Sequence, residues 1–212
     1  MDEHLLRFQK DKSFVFFDAE TLNLCLNDCH NLPWQIAMIK LVGDRRVAEK
    51  NIYLKWNSPL KISEDAARIT RYSQKTVDTL GVDPEQIFPT IEDWLDSADY
   101  IVGHNVLGFD IYLIKDYYKK MGKSAAHLYP KFIDTNAIAR SIKMGIPFKK
   151  DDDLLEYQYR AYNKKQKGIK TNLLALGKEF DIQHDYDKLH DAIVDLELNV
   201  KVWNKLKYMV EI

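Results

Sequence analysis

Short apolar runs and amphipathic stretches alternate along the chain, and their spacing predicts the order of strands and helices. Three strands are expected first, over Ser13–Phe17, Gln35–Val42 and Arg46–Trp56. Gly43 and Asp44 lie between the second and third runs and favour a hairpin there. Three consecutive strands at the start favour an antiparallel meander over a strand-helix-strand opening.

The rest of the chain alternates between helical and extended patterns. Together with the opening meander, this order predicts an α/β fold with a mixed five-stranded sheet and helices packed on it. The expected later elements are a helix beginning at Ser63, helices over Pro84–Ser97, Phe109–Met121 and His190–Tyr208, and strands over Tyr100–Val102 and Lys131–Asp134.

A length of 212 residues predicts a single domain over residues 1–212. The one compositional shift is Lys143–Lys170, which is rich in Lys, Asp and Tyr and is interpreted as a surface insertion. Lysines interleaved with aromatic residues are typical of single-strand binding. Because acidic residues from Asp151 to Glu156 interrupt the basic charge, a solvated amphipathic helix is favoured over a substrate contact.

The charge balance limits the kind of partner that the chain can hold. The sequence has 31 Lys and Arg against 32 Asp and Glu, a formal net charge of −1. A protein that grips long duplex DNA without specificity usually has a basic excess. Strand ends or short single strands therefore fit this composition better than a long duplex.

The expected location is the cytoplasm, without a membrane. Met1–Lys12 is polar and lacks the apolar segment of a signal peptide, and no apolar run approaches the roughly 18–20 residues of a membrane span. Cys25 and Cys29 are too few for a disulfide framework and are interpreted as reduced thiols.

Two carboxylates follow the first predicted strand. Asp18 and Glu20 are two residues apart, so in an extended chain both side chains project from the same face. Adjacent carboxylates repel each other and are found together mainly where a cation neutralises them. The alternative is a solvated strand end, which is common for this pattern taken by itself.

Two further motifs supply carboxylates later in the chain. Asp110 follows Gly103-His104-Asn105 and Phe109 at the start of a predicted helix, where a negative charge is also favourable for purely local reasons. His190 and Asp195 are five residues apart and share no helical face. We therefore expect His190 in the loop before the last helix, partly exposed, with Asp195 pointing inward.

In this order, the three motifs resemble those of the DEDDh family of 3′→5′ exonucleases, whose fold is ribonuclease-H-like. The resemblance extends over residues 13–203. Asn23 stands where the family has a glycine, and Asp191 stands where a sister family has a tyrosine, which favours the histidine-containing branch. Secondary matches to the family are Asp18 to Leu24, Trp34 to Ala37, Asp134-Thr135, and Leu173 with Leu176.

The resemblance implies two-metal phosphodiester hydrolysis. In that mechanism, two Mg²⁺ ions, for which Mn²⁺ can substitute, are held by Asp18, Glu20, Asp110 and Asp195, and His190 acts as the general base. The products would be nucleoside 5′-monophosphates. The residues expected to contact the substrate strand are Ala19, Thr21, Leu22, Leu24, Asn105 and Phe109.

Three alternatives stay open at this stage. The substrate is the 3′ end of single-stranded DNA or, with the same chemistry, RNA, because a metal site contacts only phosphate. A different class of function is an inactive ribonuclease-H-like interaction module of a replication complex. An active enzyme could also have a polymerase or another replication protein as its partner.

Overall fold

A five-stranded mixed sheet organises the computed structural model, which describes residues 5–23, 31–57 and 62–212. This confirms the expected fold class. The order across the sheet is β3-β2-β1-β4-β5; β2 is antiparallel to β1 and β3, whereas β4 is parallel to β1 and β5. The strands are β1 (Ser13–Thr21), β2 (Pro33–Val42), β3 (Arg45–Tyr53), β4 (Tyr100–Gly103) and β5 (Phe132–Asp134).

The central strand β1 is four residues longer than its apolar run predicted. It continues past Phe17 because β2 pairs with it through Asp18 and Glu20, which lie opposite Ala37 and Gln35. The backbone ladder therefore holds both carboxylates in extended geometry. The third strand is shorter than predicted and ends at Tyr53.

Helices cover both faces of the sheet. Phe14 and Phe16 of β1 pack into one apolar core and Val15 and Phe17 into the other, as the two-residue period of a strand requires. Among the described residues, no helix is long and apolar enough to cross a membrane. The helices are α1 (Glu64–Ile69), α2 (Gln74–Leu80), α3 (Pro84–Asp96), α4 (Asp110–Lys120), α5 (Thr135–Lys143), α6 (Leu154–Asn163), α7 (Leu173–Glu179) and α8 (Ala192–Leu206).

The interpretation of residues 143–170 as a surface insertion was wrong for its central helix, α6. This helix is amphipathic, as expected, but its inner face is part of the core because Tyr157, Gln158 and Ala161 are fully buried. The Gln158 side chain accepts a hydrogen bond from the Asp134 backbone N–H (2.6 Å) and donates one to the Phe132 carbonyl (2.9 Å). It thereby pairs with backbone groups at the outer edge of β5, which has no neighbouring strand on that side within the described ranges.

Candidate active site

The candidate site lies where β1, β4 and β5 end. Because these strands are parallel, their carboxyl ends meet at one edge of the sheet. Asp18 and Glu20 occupy the last part of β1, on the same side of the strand as the alternation predicts. Glu20 is buried and Asp18 is half-buried.

Asp110 reaches this edge from the first turn of α4. β4 pairs with β1 over Phe14–Phe16, and beyond that point no strand of the described part of the chain pairs with this edge of β1. The Ala19 backbone N–H donates to Asp110 Oδ1 instead, at 3.1 Å. This bond places the buried Asp110 carboxylate beside the backbone between Asp18 and Glu20.

Asp195 and His190 come from the start of α8. The helix begins at Ala192, with the Asp191 side chain accepting a hydrogen bond from the Ile193 N–H as its N-cap. His190 therefore precedes the helix, as predicted, and is exposed. Its backbone has a φ of 70°, an uncommon left-handed conformation for a non-glycine residue, and its N–H donates to Asp195 Oδ1 at 3.2 Å.

Three of the four predicted carboxylates converge in space. One oxygen from each of Asp18, Glu20 and Asp195 lies within 4.8 Å of the others. Asp110 borders this group through its bond to Ala19. Oxygen-only ligands at this spacing suit a hard divalent cation, so the residues present fit the expected metal. We call Asp18, Glu20, Asp110 and Asp195 the acidic cluster.

The acidic cluster is electrostatically unfavourable in its ionised form. Burial raises the pKa of Asp18 well above its ordinary value, and the charges of Asp110 and Asp195 raise it further. Burial and the neighbouring carboxylates raise the pKa of Glu20 to about 8, and burial raises that of Asp110 to about 8. A bound cation would offset this repulsion and displace protons from the cluster.

Asn105 and Phe109 flank the same edge of the sheet. Asn105 has a φ of 62°, and its N–H donates to the buried Asp134 carboxylate at 2.9 Å. The Leu107 N–H donates to the other Asp134 oxygen at 3.0 Å. Asp134 thus holds the loop from Gly103 to Phe109 in place, and Phe109 packs against the apolar core as the residue that precedes α4.

The residues expected to line a terminal-nucleotide pocket have different placements. Ala19, Thr21 and Leu22 lie at the end of β1 and are almost fully buried, and Leu22 packs against Leu32 and Trp34. Leu24 lies outside the described residues. Contact of any of these residues with a nucleotide stays a prediction.

Two charged residues near the cluster were missed as site residues. Asp191 raises the pKa of Asp18, Glu20 and Asp195, and its side chain accepts a hydrogen bond from Gln35 Nε2 at 3.0 Å. Arg71 donates to the Asp187 carbonyl and lowers the pKa of Asp195. The adjacency of Asp191 to His190 was a usable signal in the sequence, whereas no local pattern pointed to Arg71.

The fold and sequence are similar to those of known exonucleases. A family model described as "Exonuclease" matches residues 15–203. E. coli Exonuclease I in complex with a dT13 oligonucleotide is 18% identical, with a TM-score of 0.72 over 92% of this chain and 41% of that chain. The zinc-bound form of the E. coli enzyme with single-stranded DNA is 16% identical, with a TM-score of 0.74 over 93% of this chain and 41% of that chain.

The chain therefore spans about two fifths of the length of the solved structures it matches. No curated protein sequence is detectably similar to it. Exonucleases of this kind use divalent metal ions, which agrees with the oxygen-only donors of the acidic cluster. The family match over residues 15–203 confirms the resemblance stated from the motifs: the chain belongs to the exonuclease family of DEDDh type, with a ribonuclease-H-like fold.

Proposed function

We propose that this chain is a 3′→5′ exonuclease that removes nucleoside 5′-monophosphates from the end of single-stranded DNA. The observation that carries the proposal is the convergence of Asp18, Glu20 and Asp195 within 4.8 Å, beside an exposed histidine. Mg²⁺ is the proposed ion, as two ions for which Mn²⁺ can substitute, because all the donors are carboxylate oxygens.

When bound, divalent cations supply positive charge at the scissile phosphate and lower the pKa of a water molecule. The chain's own contribution begins with geometry. β1 holds Asp18 and Glu20, α4 holds Asp110, and the first turn of α8 holds Asp195, so carboxylates from three elements lie at one edge of the sheet.

His190 is the proposed general base. His190 is exposed, and its backbone N–H donates to Asp195 Oδ1, so this residue borders the acidic cluster. A neutral imidazole nitrogen can accept the proton of an attacking water molecule. Ala19, Thr21, Leu22, Leu24, Asn105 and Phe109 are the proposed contacts to the terminal nucleotides.

Single-stranded DNA is favoured because the similar E. coli Exonuclease I is named in complex with single-stranded DNA. Cleavage of RNA by the same residues is the second candidate. The converging carboxylates argue against an inactive interaction module, since their raised pKa values are a cost that binding of a partner does not need. A replication partner, a cytoplasmic location and a single domain over residues 1–212 stay predictions.

The test is a gel assay on 5′-labelled single-stranded DNA and RNA of one sequence. We expect a ladder that shortens from the 3′ end with Mg²⁺ and is absent with EDTA and in Asp18→Ala. The matched control is Asp99→Ala, which removes a carboxylate that contacts the other end of β1. Folded wild-type protein that cleaves neither strand with Mg²⁺ or Mn²⁺ would disprove the proposal, and the faster substrate decides between DNA and RNA.

A further inference from the structure

Helix α6 rests directly on the loop that leads to Asp110. The Tyr162 hydroxyl donates a hydrogen bond to Asn105 Oδ1, although the two residues are 57 positions apart. Gly108 permits this approach, because a Cβ atom at that position would lie 1.9 Å from the Tyr162 hydroxyl oxygen. The end of α6 and the active-site loop therefore form one continuous surface.

Two more tyrosines extend this surface into solvent. Tyr112 lies in the first turn of α4, two residues after Asp110, and Tyr159 precedes Tyr162 by three residues on α6. Burial raises the pKa of Tyr159, and Tyr112 raises it further. We call Tyr112, Tyr159 and Tyr162 the tyrosine surface.

The exposure of these side chains is not explained by core packing. Tyr112 is 44% exposed and Tyr159 is 37% exposed, whereas Tyr117 and Tyr157 on the same two helices are fully buried. Helices α4 and α6 thus use one set of tyrosines in the core and present another to solvent. Tyrosine is enriched among the residues that dominate binding energies, so a group of exposed tyrosines joined to Asn105 through Tyr162 favours a binding role.

A run of lysines follows the tyrosine surface along the chain. Lys164, Lys165 and Lys167 follow α6 directly and are exposed. The start of this lysine segment is held in place because Arg140 donates to the carbonyls of Ala161 (3.2 Å) and Lys164 (2.6 Å). The chain as a whole has a net charge of −1, so this local run of lysines is a distinct feature.

Resting on the function proposed above, we infer that the tyrosine surface and the lysines that follow it bind the single strand upstream of the 3′ terminal nucleotide. Bases stack on Tyr112 and Tyr159, and phosphates pass beside Lys164, Lys165 and Lys167. Stacking on aromatic side chains with a basic backbone contact is the general mode of binding a single strand without reading its sequence. A duplex cannot use this surface, because its bases are already stacked on one another.

Tyr162 has a different role, because it positions the Asn105 side chain. Asn105 Oδ1 accepts hydrogen bonds from both Tyr162 and Asn136 Nδ2, the latter at 3.3 Å. These bonds orient the amide so that its NH₂ group remains a donor for the strand. Tyr162 therefore joins the stacking surface to a residue of the active-site loop.

The experiment compares binding and cleavage in matched variants. The test variant is Tyr112→Ala/Tyr159→Ala, the conservative variant is Tyr112→Phe/Tyr159→Phe, and the control is Tyr208→Ala, which removes a 59% exposed tyrosine from the residues that follow α8. Binding of a labelled DNA strand of about 12 nucleotides is measured by fluorescence anisotropy in EDTA, so that no cleavage occurs. Cleavage is measured with Mg²⁺ on the same strand and on a dinucleotide.

We expect the alanine pair to bind the strand about tenfold more weakly and to raise its KM by a similar factor, with dinucleotide cleavage unchanged. The phenylalanine pair and Tyr208→Ala should stay within about twofold of the wild type. A parallel arm with RNA shows whether the surface serves both strands or DNA alone. Unchanged binding in the alanine pair, equal loss on the dinucleotide, or tighter binding of duplex than of single strand would each overturn the inference.

The binding arm also separates this inference from the proposed function. If the wild type binds the strand through the tyrosines but cleaves nothing, the exonuclease proposal fails and the binding surface stands. If the wild type cleaves dinucleotides but the tyrosine variants bind the strand normally, the exonuclease proposal stands and the binding surface fails. Circular dichroism and thermal unfolding of every variant exclude loss of folding as the cause.

Discussion

Asp99 contacts the start of strand β1, and Glu20 lies near the end of that strand. The surroundings of these two carboxylates shift their pKa values in opposite directions. Asp99 accepts hydrogen bonds from the Ser13 N–H (2.8 Å), the Ser13 hydroxyl (2.8 Å) and Lys12 Nζ (3.0 Å). Burial alone would raise its pKa, but these donors lower it below the ordinary value. At the other end, burial and other carboxylates raise the pKa of Glu20 to about 8.

The difference separates a carboxylate that stabilises the fold from one that we propose holds a catalytic metal ion. Asp99, the residue before β4, accepts hydrogen bonds from the start of β1 and is neutralised by the protein itself. The acidic cluster is left for an external cation to neutralise, so the metal-free fold is destabilised at that point. Asp99 and Glu20 can be substituted separately, so the comparison can be tested.

The largest expected effect is on catalysis by Glu20→Gln. The substitution keeps the shape of the side chain but removes a proposed metal ligand, so kcat should fall at least about a thousandfold. Asp99→Asn, at the other end of β1, should retain kcat within about twofold. Rates on a 5′-labelled single strand with saturating Mg²⁺ measure both. Equal losses in the two variants would remove the functional distinction between the two ends.

A smaller loss of rate is expected for His190→Ala. General bases contribute about 10²–10⁴-fold, and the His190 side chain lies outside the group of converging carboxylate oxygens. The acidic cluster should therefore still bind metal with near-normal affinity, as titration calorimetry with Mn²⁺ would measure. If the variant keeps the full rate across pH 6 to 8, His190 is not the base.

The metal-free protein should lose stability as pH rises. Glu20 in the unfolded chain ionises near its ordinary pKa of 4.5, but in the fold only near 8. Between these values the folded state holds more protons, so the free energy of unfolding falls with increasing pH. The loss should be about 1–3 kcal/mol from pH 5 to pH 8, measured by urea unfolding in EDTA.

The Glu20→Gln variant is the matched control for this pH dependence. It should flatten the profile and be more stable than the wild type at pH 8 without metal, because one of the repelling charges is gone. Excess Mg²⁺ should restore wild-type stability most strongly at the high end of the range. A wild-type profile that rises from pH 5 to pH 8 in EDTA would contradict the electrostatic description of the site.

The smallest expected effect is on stability in Asp99→Ala. Because the side chains of Asp99 and Lys12 are both more than one third exposed, the ion pair is screened, and the loss should be about 1 kcal/mol at pH 7. Since the pKa of Asp99 is lowered in the fold, its contribution is present above the ordinary value of 3.8 and is lost as pH falls below it. Thermal unfolding at pH 7 and pH 3 should therefore give a larger difference between variant and wild type at the higher pH.

Local pattern was enough to predict the elements that carry the site. The two-residue period of a strand placed Asp18 and Glu20 on one face of β1, and the helical spacing after His190 placed the histidine before α8 and Asp195 within it. The mixed five-stranded sheet followed from the order of the predicted elements along the chain. These inferences depend only on residues a few positions apart, where backbone geometry alone determines relative direction.

The tertiary structure alone decided which distant segments touch. It brought Asp110 to the Ala19 backbone across 91 positions, and Tyr162 to Asn105 across 57, and it buried one face of α6 that composition had suggested was solvated. The hydrogen bonds of Gln158 to β5 had no signal in the sequence, because they satisfy a strand edge that exists only once the sheet has formed. Side-chain periodicity carries no information on such contacts, since they depend on how separate elements pack.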